Sequence, residues 1–141
     1  MNLKELTIAK KSTVSTSKKK TKASQIEVSG SEKLARTLAD LTLTKKAEDV
    51  KILDLRKLTT ITDFFVICTA FSDTQVKAVA DAVIEGAKEL DERVWHKEGM
   101  AMKSWVLLDY VDVVVHIFLK ETRNFYGLEK LWGDAPVVEV S

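Results

Sequence analysis

At 141 residues the chain holds enough sequence for one domain with a proper core and too little for two. Apolar residues make up 45% and charged residues 30%, the mix of an ordinary soluble globular protein, and no apolar run approaches the roughly 20 residues of a membrane-spanning helix. The net charge of +1 conceals a local +6 in residues 1–25, where seven lysines (Lys4, Lys10, Lys11, Lys18, Lys19, Lys20 and Lys22) face only Glu5, so the remainder carries −5.

Residues 1–28 are rich in Lys, Ser and Thr without a sustained hydrophobic period, and read as a flexible lysine-rich extension. They lack the apolar core of a secretory signal. They also lack arginine, which organellar transit peptides favour, so a reducing, cytoplasmic setting is expected. A basic tail on an acidic domain fits a tail that touches polyanions and a domain that meets something basic. The domain, residues 29–141, begins where Ser29 and Glu32 have capping-box spacing. Leu34, Leu38 and Leu41 then recur at helical spacing to about Lys46. Asp49–Leu55 alternates as a strand, and the continuous apolar run Phe64–Ala70 predicts a central strand covered on both faces. The single cysteine, Cys68, excludes an internal disulfide and reads as a small buried hydrophobe. Ser72 and Gln75 open a second helix that gathers Val76, Val79, Ala80, Val83, Ala87 and Leu90 on one face. Arg93–Lys97 is a third strand, with a break at Glu98-Gly99. Trp105–Tyr110 and Val113–Leu119 are strands joined by Val111-Asp112. A last helix then puts Phe125, Leu128, Leu131 and Trp132 on one face and stops at Gly133. The order αββαβββα predicts a single α+β domain with a mixed β-sheet backed by helices.

Catalytic signatures are missing from this pattern. There is no Gly-rich phosphate loop and no CxxC or HExxH spacing, and the two histidines, His96 and His116, have no convergent ligands by spacing. Asp109 and Asp112 have the types to hold a divalent cation for nucleotidyl transfer. That chemistry also needs a phosphate-positioning Gly-Ser turn, whereas the strand-to-helix turn reads Thr69-Ala70-Phe71-Ser72-Asp73. An acidic hairpin tip that favours the turn is the simpler reading. Strand alternation points Trp105, Leu107 and Asp109 one way and Val106, Leu108 and Tyr110 the other. If helices cover one face, the Trp105 side forms a mixed apolar and acidic patch, suited to a basic protein partner more than to nucleic acid.

The segments "DLRKLTTITDFFVICTAFSDTQVKAVADAV" (residues 54–83) and "WVLLDYVDVVVHIFLKETRNFYGLEKLWGDAP" (residues 105–136) resemble the Iojap-like ribosomal silencing factors. The resemblance covers about residues 30–136, and the lysine-rich extension has no counterpart in it. It implies a nucleotidyltransferase-like fold without catalytic residues, no enzymatic activity, no cofactor and no metal. It further implies binding to the large ribosomal subunit through ribosomal protein fourteen, which blocks joining of the small subunit and represses translation. Large-subunit assembly is the alternative role, and an active nucleotidyltransferase a weaker one. The family's docking strand opens with a tryptophan that maps to Trp105. By alternation the expected surface extends to Leu107 and Asp109, and less directly to Tyr110, with Arg123 and Trp132 of the last helix as supporting packing or rim. Contact of the lysine-rich tail with ribosomal RNA and a homodimer of the free protein are further expectations.

Overall fold

The structure, a computed structural model, describes Lys4 and residues 29–141. The flexibility expected of residues 1–28 concerns, Lys4 apart, residues outside those described. Helix α1 (Gly30–Leu43) starts because Ser29 is extended and its Oγ accepts the Glu32 N–H at 3.1 Å. It buries Ala35, Leu38, Ala39 and Thr42. It ends three residues before the expected Lys46, which is left-handed at φ 66°. The Ala47 N–H then reaches back to the Thr42 carbonyl and the Lys46 N–H to the Leu43 carbonyl, a Schellman closure.

Strand β1 (Glu48–Asp54) pairs antiparallel with β2 (Phe64–Ala70), with a register shift between Glu48 and Lys51 where Asp49 is left-handed at φ 52°. Every residue of β2 is buried, as its unbroken apolar run predicts. Helix α2 (Asp73–Glu89) opens on Ser72, whose Oγ accepts the Gln75 N–H at 3.0 Å. The box is not reciprocal, because the Gln75 side-chain Oε1 accepts the Phe71 N–H instead and its Nε2 donates to the backbone carbonyls of Lys45 and Lys46. Strands β3 (His96–Glu98), β4 (Trp105–Asp109) and β5 (Val113–Leu119) follow, then α3 (Lys120–Tyr126), α4 (Leu128–Leu131) and β6 (Val137–Glu139).

These six strands form one mixed sheet in the order β3-β4-β5-β2-β1-β6, with β2 and β5 parallel and the other pairs antiparallel. One face packs under α1 and α2 through Val50, Ile52, Val66, Cys68, Val106, Leu108, Tyr110 and Ile117. The other buries Leu53, Phe65, Ile67, Trp105, Leu107, Val114 and Phe118 beneath Leu128, Trp132 and Ala135. Both faces are therefore covered over the middle of the sheet.

Three further elements depart from the sequence expectation. The single terminal helix is two, because Gly127 is left-handed at φ 58° and ends α3. That break releases Phe125 from the face it was expected to share with Leu128, leaving Phe125 80% exposed. The unexpected β6 follows Pro136 and adds three residues to the outer edge of β1, too short for alternation to announce it. The third strand also shifts, from Arg93–Lys97 to His96–Glu98, because its ladder is set by Leu107–Asp109 opposite.

Candidate functional site

The alternation of β4 is as expected, and its consequence is not. Trp105 and Leu107 do share the face opposite Val106, Leu108 and Tyr110, but Trp105 is only 4% exposed and Leu107 is wholly buried. The Trp105 ring stacks on Phe118 at 4.9 Å between centroids and meets Tyr126 of α3 at 4.7 Å. Its indole N–H donates to His116 Nδ1 at 3.0 Å. The ammonium of Lys4 lies 4.8 Å from the ring centroid and donates to the Trp105 carbonyl at 2.5 Å. The open tryptophan anticipated here is thus roofed, because the chain end of α3 folds over this face.

His116 is fully buried, and burial with the nearby Lys4 charge pushes its pKa down to about 3. Since Nδ1 accepts from a donor-only indole, the neutral ring carries its proton on Nε2, which has no partner among the described residues. The ring is packed edge-on against Phe65 at 4.4 Å and fixed by the Trp105 indole. Burial likewise pushes the Cys68 thiol up to about 12, which favours the protonated thiol at neutral pH.

Asp109 is buried at the end of β4, and its Oδ1 accepts the Val111 N–H at 2.7 Å. Burial raises its carboxyl above the usual range, against the lowering effect of that bond. Val111 stands at φ 74°, a conformation that β-branched residues seldom adopt, in a tight turn closed by the Asp112 N–H on the Tyr110 carbonyl. The acid at 109 therefore builds the hairpin tip. Among the described residues no group of three or more His, Cys, Asp or Glu is placed to hold a metal ion.

The remaining expected site residues fall elsewhere. Tyr110 points into the core under α1 and α2, and burial pushes its hydroxyl up to about 12. Trp132 is buried edge-on to Phe65 at 5.8 Å. Arg123, 6% exposed, forks onto Glu129 with two bonds of 2.9 Å and donates from Nη1 to the Asp49 carbonyl at 2.8 Å and Thr69 Oγ1 at 2.7 Å. The bulge at Asp49 aims that carbonyl at the guanidinium, and the fork holds Glu129 below the usual carboxylate range. Arg123 and Trp132 hold the C-terminal segment on the sheet, which makes them packing residues rather than rim.

What the sequence reading missed lies along the open flank of the same face. Trp95, 71% exposed, and Val111, 57% exposed, border a shallow depression with Ile61, Asp109 and Val114. Phe125 and Tyr126 are exposed at the Trp105 end, and Met102 lies in the loop that leads into β4. A signal for Trp95 was available: it stands between Arg93 and Lys97, the polar side of any alternating strand through that segment.

Comparison with known proteins identifies the fold and the family. A family model described as "Ribosomal silencing factor during starvation" matches residues 28–141. The chain is 45% identical over 96 residues to the ribosomal silencing factor RsfS of Bacillus subtilis (strain 168), which spans 68% of this chain and 81% of that protein. It is 41% identical over 98 residues to the chloroplastic protein Iojap of Zea mays, covering 67% of this chain and 41% of that one. A crystal structure of a Chromobacterium violaceum protein superposes with a TM-score of 0.72 at 31% identity, covering 82% of this chain and 94% of that chain. The mouse protein named "Mitochondrial assembly of ribosomal large subunit protein 1" is 31% identical over 98 residues, 67% of this chain and 43% of that protein. By these matches the chain belongs to the ribosomal silencing factor family, whose members include the Iojap proteins.

Proposed function

We propose that this protein binds the large ribosomal subunit through the open flank around β4 and prevents the small subunit from joining, without doing chemistry. The observation that carries the reading is the exposed aromatic and apolar border, Trp95, Val111, Phe125 and Tyr126, set around the Trp105-Leu107-Asp109 face of a family member. Large amphipathic rings are the side chains that anchor protein interfaces. The acid-rich domain favours a basic partner surface. Ribosomal protein fourteen, the contact implied by the sequence resemblance, is the partner proposed. Trp105 and Leu107 act here from beneath, as the floor on which Tyr126 and its neighbours stand.

Steric exclusion asks only for occupancy. At a free concentration a hundred times its dissociation constant, the factor favours the bound state by about 2.7 kcal/mol. Subunit joining followed by light scattering tests this: protein added to large subunits beforehand should slow joining, and Trp95→Ala should need on the order of thirty-fold more protein for the same effect. Joining unaffected by excess wild-type protein would end the silencing reading. The name of the mouse relative favours a second role in large-subunit assembly. In that case cells lacking the protein would accumulate incomplete large subunits while joining in vitro stayed normal.

A further inference from the structure

The corner where β3 leaves β4 is shaped to hold a cation. Three groups of different chemistry converge there: the face of the Trp105 ring, the Trp105 carbonyl oxygen and the negative field of Glu98. Gly99, at φ 84°, closes the corner. A Cβ on it would run into the Trp105 carbonyl and come within 2.8 Å of the cation. A ring face, a carbonyl acceptor and a carboxylate together satisfy an ammonium or guanidinium group. The group that fills the corner is this chain's own Lys4.

We propose that Lys4 is a latch: it occupies in cis the cation seat at Trp105 that a basic side chain of the docking partner takes in trans, so the N-terminal extension restrains binding. The proposal rests on docking around β4 as argued above and adds its regulation. Sequence and geometry support it independently. The 24 residues between Lys4 and Ser29 span at most about 80 Å when extended, which is long enough for Lys4 to reach the seat from Ser29. The seat lies beside the exposed Phe125–Tyr126 pair, with Tyr126 against the same ring that Lys4 covers. A partner landing on those aromatics with a lysine or arginine meets Lys4 already in place. A docking-competent state that is only a fraction of the total weakens apparent affinity by that fraction.

The test uses the full chain with Lys4→Ala, Lys4→Arg and, as a control of equal charge change, Lys10→Ala. Two readouts are compared: affinity for isolated large subunits, and the position and hydrogen exchange of the Trp105 indole N–H resonance. Lys4→Ala should bind about three- to tenfold more tightly, Lys4→Arg about as wild type, and Lys10→Ala no more tightly than wild type. The indole resonance should move in Lys4→Ala and hold in Lys10→Ala. An unmoved resonance overturns the latch, and so does a moved resonance with unchanged affinity. Weaker binding by both alanine variants would instead make Lys4 one more phosphate contact and also overturn it. If no variant binds any ribosomal particle, the docking reading has failed, and the indole resonance alone decides whether Lys4 closes the corner.

Discussion

Trp105 is buried and Trp95 exposed, so the docking role expected of Trp105 is proposed instead for Trp95. The period of two correctly set which way Trp105 points, because side-chain direction in a strand is local. Its burial depends on Tyr126, 21 positions later, and on Lys4, which no local pattern reveals. The two substitutions should therefore separate cleanly. Trp105→Ala is expected to cost about 3–5 kcal/mol of stability, as for other buried large aromatics. Trp95→Ala should leave the melting temperature within the small range of surface changes while weakening docking. Thermal melts of the two variants check this, and a stable Trp105→Ala protein would show that the ring is not held as described. His116 makes a pH prediction. Its folded pKa of about 3 lies below the roughly 6.5 of an unfolded histidine, so only the unfolded chain takes up the proton between these values. The associated stability is present above pH 6.5 and is lost as pH falls toward 3, by up to about 1.4 kcal/mol per unit. His116→Gln, which keeps an acceptor for the Trp105 indole, should lose less melting temperature between pH 7.5 and pH 5 than wild type does. An equal loss would place the acid sensitivity elsewhere.

Among the elements, α1, α2, β2 and β5 were legible because each is long and buries a regular face. Their caps and apolar runs agree with their tertiary surroundings. The C-terminal segment was misread because residues three apart share a helical face only while the helix is continuous, and Gly127 interrupts it. No atom lies within 4 Å of a Cβ built on Gly127, so Gly127→Ala tests the backbone alone. It should cost about 1 kcal/mol, seen as a small drop in denaturation midpoint. Arg123 is the stronger test of this segment, since its fork joins α3 to α4 and its Nη1 ties both to β1 and β2. Removing it leaves Glu129 half-buried beside Lys51 alone and frees two acceptors, so Arg123→Ala should lose about 2–4 kcal/mol. Arg123→Lys should recover only part of that, because an ammonium cannot fork. A silent Arg123→Ala in chemical denaturation would remove the clasp from the account.

At the scale of the molecule, the fold places a covered sheet centre beside one open, aromatic-bordered flank. The charge is divided between an acidic domain and a lysine-rich N-terminus. The family signature in residues 54–83 and 105–136 was readable because core strands and their turns constrain sequence tightly. The exposed border proposed for docking was not, since Trp95, Met102 and Phe125 lie in short or broken elements whose exposure is decided by the whole. Binding of the large subunit by this flank is open to a direct test by sedimentation. Purified protein is spun with isolated large subunits, small subunits and joined ribosomes, wild type beside Trp95→Ala, with folding confirmed by thermal melt. Wild type should travel with large subunits alone, and folded Trp95→Ala should largely stay behind. Migration with small subunits, or equal migration of the folded variant with large ones, would contradict binding through this flank.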